Sequence, residues 1–323
     1  MMNKKISITL ALVFVALLVM GSASAGIFEF KSESENTVRI GYLPTDHDAA
    51  LFVADAKGYF DKEGINADLI KYNNGNELMK AMEAGEIDVG YVGIAPALYS
   101  IGNGGDAKII SSAQNEGSGI VVNANSGISS AADLSGKKIA TPGEGTIQEL
   151  LLSYYLNENG ISNKDLKIST LKVSSMNSAL ENSEVDGVIT FQPYVTQAQS
   201  AGNTLLVDSS EILPNHPCCV VVASDDFIKN NPDEADKIVT IHKKATQFIN
   251  KNIKNGKTSK VVKLLPDSIV ADKDLEVTSL ESFPFTSGMS SNFKSNAMTF
   301  QKLESTMGAI KDPVSENEIF WEA

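Results

Sequence analysis

The chain holds one arginine, Arg39, three histidines, a single tryptophan, and two cysteines that are neighbours, Cys218 and Cys219. Arg39 sits inside a short strand pattern, so a bidentate guanidinium clamp for an anion is not expected in any cleft. Adjacent cysteines do not readily meet disulfide geometry, so the fold is not stapled. As successive residues of a strand, the two thiols are expected to point to opposite faces and to be buried and unreactive. The sequence lacks a nucleophile elbow, a zincin motif and a paired-thiol redox motif, so no catalytic residue and no cofactor are assigned. His47, His216, Cys218 and Asp46 could converge, but none shares the short ligand spacing of a metal motif, and no metal site is expected. His242, within an amphipathic pattern, is expected at the surface. The formal charge of −13 argues against nucleic acid and anionic membranes as partners, and its plainest meaning is solubility.

What is present begins with a segment to set aside. Lys4 and Lys5 precede an uncharged run from Ile6 to Met20, and Ala23-Ser24-Ala25 offers a small-residue cleavage pattern. Residues 1–25 are read as a signal peptide and the chain as exported; an uncleaved segment would anchor it instead. No cysteine in this stretch supports lipidation. Removing its two lysines and no acids moves the formal charge from −13 to −15. Residues 26–37 read as a flexible lead-in. The remainder is long enough for two compact lobes.

Along it, short β-branched runs alternate with helical patterns, the grammar of parallel α/β architecture. Val38 to Tyr42 is a strand that runs through Leu43-Pro44-Thr45-Asp46-His47-Asp48 into an apolar helix stopped by Gly58. Open α/β sheets place ligands where a strand hands its carboxyl end to such a helix amino terminus. A second helix follows Asn73-Asn74-Gly75-Asn76. The run Glu86-Ile87-Asp88-Val89-Gly90 leads through Gly93 to a helix with Pro96 near its start, and the same order returns in Glu184-Val185-Asp186-Gly187-Val188 before Gln192-Pro193. Two like lobes facing one crevice would make a clamp; common α/β grammar would give the same short repeat. Between the copies, Gly143-Glu144-Gly145-Thr146 resembles an anion nest, without the lysine of a P-loop or the spacing of a dinucleotide fingerprint, and simple helix capping explains it equally well.

These segments together resemble the substrate-binding proteins of nitrate/sulfonate/taurine (NitT/TauT) ABC importers, with an NMT1-like periplasmic-binding fold. The resemblance rests on Ile40-Gly41-Tyr42-Leu43-Pro44, Lys57-Gly58-Tyr59-Phe60, Gly85 to Gly90, Gly93 to Ala97, Asp133 to Ala140 and Phe191-Gln192-Pro193, and covers about Val38 to Asn230. It implies an α/β, two-lobed, type II fold, each lobe a mixed sheet flanked by helices, with two interlobe crossings. Lobe 1 would be residues 38–123 plus 218–323, and lobe 2 residues 124–217. It implies a monomeric, non-enzymatic receptor that closes on a small-molecule solute and delivers it to the transmembrane subunits of an ABC permease. The alternatives are an NMT1-like pyrimidine-synthesis enzyme or a metal-dependent binding protein on the same fold.

By family position the cleft would be lined by Thr45, Asp46 and His47, by Gly75 and Asn76, and by Gly93, Ile94 and Ala95. Glu116 and Ser118 follow, then Thr146, Ile147 and Gln148, Ser175 with its neighbours Ser174 and Met176, and Phe191 and Gln192. Each serine or asparagine among them could equally be a cap, and Phe191 could be core or an aromatic wall. Acids near this pocket, Asp46, Asp48, Glu116 and Glu144, would suit a solute with an amine part. Relatives at this level bind nitrate, bicarbonate, alkanesulfonates, taurine or pyrimidines, and the motifs do not choose among them.

Overall fold

A computed structural model describes residues 37–270, 272–311 and 313–322, so the expectations for residues 1–36 lie outside the described residues. Among the described residues, ten strands form two sheets. The first takes β1 (Thr37–Tyr42), β2 (Asn66–Lys71), β3 (Val89–Gly93), β4 (Ala107–Asn115) and β10 (Pro217–Ser224) in the order β2-β1-β3-β10-β4. The second takes β5 (Ser118–Val122), β6 (Lys138–Thr141), β7 (Lys167–Thr170), β8 (Gly187–Phe191) and β9 (Thr204–Asp208) in the order β7-β6-β8-β5-β9. β1 pairs in parallel with β2 and β3, and β6 with β7 and β8; β10 and β5 are the antiparallel members. The two sheets therefore share one topology. Each lends its antiparallel strand to the chain arriving from the other lobe.

This layout moves one expected boundary. β5 pairs with β8 and β9, so it belongs to the second lobe, and the first crossing is Glu116–Gly117 in place of the stretch up to Asn123. β4 and β5 are nearly contiguous extended runs, and only the left-handed pair Glu116 (φ 62°) and Gly117 (φ 78°) separates them. The carboxyl-terminal segment returns to the first lobe, where Phe320 bridges to Ile109 and Phe285 to Gln114.

The repeated acid-aliphatic-Asp pattern has a structural cause. Asp88 Oδ2 accepts from the Arg39 backbone N at 2.8 Å, while the Asp88 N donates to Arg39 O at 2.9 Å and its carbonyl accepts from Ser224 N at 3.0 Å. Asp186 repeats the set: Oδ2 accepts from Lys138 N at 2.8 Å, its N donates to Lys138 O at 2.8 Å, and its carbonyl accepts from Asn123 N at 3.0 Å. In each lobe one aspartate thus ties the first, third and antiparallel strands together at the amino end of the sheet, opposite the loops that carry the site. Arg39 adds a fork to Asp88, with Nε 3.0 Å from Oδ2 and the second terminal nitrogen 2.6 Å from Oδ1, which uses the arginine far from the seam.

The helix Ala49–Ala56 buries its residues from Ala49 to Ala54 and packs beside the 23-residue helix Pro232–Lys254, whose Ile238, Ile241, Ala245 and Ile249 are buried at helical spacing. His242 lies on this inward face and not at the surface. It is 0% exposed, with Nδ1 3.2 Å from the Tyr91 hydroxyl and Nε2 2.9 Å from Ser112 O. Burial pushes its pKa down to about 4.

The two aspartate ties should differ in cost. Asp186→Ala removes one charge-assisted bond to a backbone N–H and should lower unfolding stability by about 1.5–3 kcal/mol. Asp88→Ala should cost more, because it also strands the half-exposed Arg39 fork. Urea unfolding of both variants checks the order, and equal losses would refute it.

Candidate functional site

The site forms where the carboxyl ends of the two sheets meet. After β1 the chain makes a single 3-10 turn, Asp46–Asp48, with Thr45 as its cap: the Thr45 hydroxyl accepts from His47 N at 3.3 Å. The turn buries Thr45, Asp46, His47 and Asp48 in succession, with Asp46 0% exposed. From the second lobe, Gln192 follows β8, and the Thr45 hydroxyl donates to its carbonyl across the seam at 3.3 Å. The helix Lys273–Leu280 supplies Ser279, whose hydroxyl lies 2.5 Å from Asp46 Oδ2 and 3.2 Å from Gln192 Oε1. One hydroxyl hydrogen cannot serve both acceptors. The shorter contact takes it, with Ser279 donating to Asp46 Oδ2.

Burial raises the Asp46 pKa against the opposing pull of His47. Burial likewise lifts Asp48 to about 8, although its carboxylate accepts from Leu43 N at 2.9 Å, and lifts buried Glu276 to about 8 with Asp46 adding to the effect. Desolvation therefore favours the neutral form of Asp48 and Glu276. Of the acids expected to attract an amine, Asp46 and Asp48 are the two that burial biases toward the neutral form.

His47 is the centre of the floor. Its ring lies 4.8 Å from Phe283 and 5.5 Å from Phe191 of the second lobe, and Phe191 in turn meets Tyr194. Cys218 Sγ and Cys219 Sγ each lie 3.7 Å from His47 Nδ1 and 3.9 Å from one another, both as free thiols. The expectation that these cysteines face opposite ways is overturned. Register shifts flank Cys219 in the pairing of β10 with β4, and such bulges break the alternation of a pleated strand. Cys219 donates to Cys218, which together with the imidazole holds Cys218 well below the usual thiol range, whereas the Cys219 thiol is pushed up. On His47 burial lowers the pKa, but the charge and hydrogen bond of Cys218 lead the opposing effects and the pKa is raised. His216 and Asp46 are not part of this triangle; His216 stacks on Phe300 at 5.7 Å.

The other expected residues divide into three groups. Ser118 and Gln148 meet on the second lobe, Gln148 Nε2 donating to the Ser118 hydroxyl at 3.0 Å. Gly75, Gly93, Ile94, Ala95 and Ile147 are buried where helix amino termini approach. A Cβ on Gly93 would lie 3.3 Å from Ile147 Cδ1, and one on Gly75 2.5 Å from Pro96. Beside them opens a cavity of about 590 Å³ between the lobes, lined by Asn76 and Thr146 together with Glu83, Glu144, Glu149 and Glu304. Two expected residues are placed elsewhere. Glu116 fastens the crossings, its Oε1 accepting from Asn215 N at 2.7 Å and its N donating to His216 O at 3.1 Å. Ser175 is exposed on the helix Val173–Glu181, outside both the seam and the cavity lining, as is exposed Ser174; Met176 is core. The sequence reading missed Ser279, Glu276, Phe283 and Glu304, which come from the carboxyl-terminal segment where no motif stands out.

The model of the NMT1-like family matches residues 31–265. A protein of Brucella abortus (strain 2308), named only for binding, is 28% identical over 215 residues, which is 65% of this chain and 66% of that protein, just under two thirds of its length. A Bacillus subtilis (strain 168) protein named for binding aliphatic sulfonates is 29% identical over 251 residues, 76% of this chain and 73% of its own. A 4-amino-5-hydroxymethyl-2-methylpyrimidine phosphate synthase of Saccharomyces cerevisiae is 23% identical over 234 residues, 68% of each chain. Among solved structures, the periplasmic aliphatic sulphonate binding protein SsuA from Escherichia coli superposes with a TM-score of 0.77 at 19% identity, over 89% of this chain and 98% of its own. That likeness establishes the two-lobed periplasmic-binding fold.

Glu304 gives the cavity a measurable pH signature. It is buried, its Oε2 has no hydrogen-bond partner among the described residues, and desolvation lifts its pKa from 4.5 to about 9. Between those values the folded chain holds a proton that the unfolded chain has lost, so stability falls as pH rises across that window and levels off above it. Glu304→Gln should remove this slope. Its melting temperature relative to the parent should climb between about pH 6 and 8.5, by up to about 3 kcal/mol in stability. A difference that stays constant with pH would show that Glu304 ionises normally.

Proposed function

The chain belongs to the NMT1-like family, and on that premise we propose that it is the extracytoplasmic solute-binding receptor of an ABC importer, capturing a small sulfonate, nitrate-like or amine-bearing organic solute by interlobe closure. The observation that carries this reading is the meeting of helix amino termini from both lobes at one seam. The helices Gly75–Glu83 and Ile94–Gly102 come from the first lobe and Ile147–Glu158 from the second. Their starts approach one another: a Cβ on Gly145, before the third helix, would lie 3.9 Å from Asn76 Nδ2 of the first, and one on Gly93, before the second, 3.3 Å from Ile147 Cδ1 of the third. Amino termini favour anions, each by about 0.3–1 kcal/mol when exposed and more when partly buried. With Arg39 committed to Asp88, neutral donors such as Thr45, Ser118, Gln148 and Gln192 would complete recognition.

Closure supplies the mechanism. A solute that touches both lobes binds the closed arrangement better than the open one, and shifts the population by that difference. The Thr45–Gln192 bond is the kind of contact made only when the lobes meet. The closed form would then present surfaces of both lobes to the permease, as a monomer and outside the cytoplasm. No chemical step is assigned, and the pyrimidine synthase relative makes an aminopyrimidine a necessary member of any ligand panel.

A thermal-shift panel of taurine, alkanesulfonates, nitrate, bicarbonate and an aminopyrimidine tests the reading. A cognate solute at about a thousand times its dissociation constant should stabilise the protein by about 4 kcal/mol. Gln192→Ala should abolish most of that shift and Ser175→Ala should leave it intact. A folded, ligand-free protein that responds to none of the panel would remove these solute classes, and formation of an aminopyrimidine by the protein would replace the receptor by an enzyme.

A further inference from the structure

His47 and the two cysteines lie 171 and 172 residues apart in the chain, yet their donor atoms form a tight triangle on the first lobe. The edges are 3.7, 3.7 and 3.9 Å. For metal–sulfur bonds of about 2.3 Å and metal–nitrogen bonds of about 2.0–2.1 Å, a trigonal ion needs edges of about 3.8, 3.8 and 4.0 Å, and a tetrahedral one about 3.6, 3.6 and 3.8 Å. The observed triangle falls between the two. All three side chains are buried, at 3%, 1% and 6% exposure, and the rings of Phe283 and Phe191 flank the imidazole. The other ring nitrogen, Nε2, has no hydrogen-bond partner among the described residues.

We propose that His47, Cys218 and Cys219 form a binding site for one thiophilic d10 cation, Zn(II) or Cu(I), on the floor of the interlobe seam. Two thiolates and one imidazole are a soft donor set that selects such ions over oxygen-loving ones. Zn(II) would be neutralised by the two thiolates, which suits a buried site, while Cu(I) suits the three-donor geometry. The bulged start of β10 is what makes the site: it brings two successive sulfurs to one side, which a regular strand forbids. All three donors belong to the first lobe, so the site stands whether or not the lobes close on a solute.

The test uses the purified protein, reduced and chelator-stripped, then incubated with Zn(II) alone or anaerobically with Cu(I) alone and passed through gel filtration. One equivalent retained per chain, with X-ray absorption showing two sulfur neighbours and a nitrogen, is the expected result. Cys219→Ser and His47→Asn should each weaken retention at least about tenfold. No retained metal, or metal surrounded only by nitrogen and oxygen, overturns the proposal without recourse to any variant. Undiminished binding by a folded Cys218→Ser/Cys219→Ser double variant does the same. Retention and solute-induced shift are separate readouts, so a protein that holds the ion but answers no solute keeps this site and loses the receptor reading.

Discussion

Everything at the seam depends on how two chain segments pass between the sheets at one place. Glu116 fastens them through its backbone N–H to His216 O and through its carboxylate to Asn215 N. Both segments adopt left-handed backbone there, Glu116 and Gly117 on one and Asn215 on the other. Gly117 then sets the floor. A Cβ at that residue would lie 2.8 Å from Gln114 Nε2, 3.0 Å from His47 Nε2 and 3.2 Å from the Phe283 ring, so side chains from three separate stretches pack onto bare backbone. The crossing and the centre of the site are therefore one piece of structure. A change in the angle between lobes must pass through residues that touch His47.

Much of this is legible in the sequence. Val38 to Tyr42 running into Thr45-Asp46-His47 reads as a strand feeding a ligand loop because its alternation, proline and cap residues are all local signals. The repeat around Asp88 and Asp186 was visible as well, and its reason is also local: an aspartate one residue before the third strand can reach back to the first. What stayed hidden was set by long-range packing. Cys218 and Cys219 read as alternating strand residues because a bulge leaves no mark in the residues that form it. His242 looked like a polar residue on a polar helix, yet Tyr91 and the Ser112 carbonyl take up both ring nitrogens inside the core. Ser279 and Phe283 come from a segment with no motif, and only the fold brings them to Asp46 and His47.

Charge is the property that sequence and structure weigh most differently. Counted along the chain, the acids near the seam make it a repellent surface for an anion. Inside the fold burial disfavours ionisation of one of these and of two acids the sequence did not point to: Asp48 and Glu276 are lifted to about 8 and Glu304 to about 9. A protonated carboxyl is a hydrogen-bond donor, so burial turns these three groups from anions toward neutral donors. That conversion reconciles an acidic chain whose one arginine is spent elsewhere with helix amino termini that favour negative charge. It also links recognition to pH. Ionising one such group would set a full negative charge against helix ends worth about 1 kcal/mol each, and the preference of the seam would turn from anionic solutes toward cationic ones.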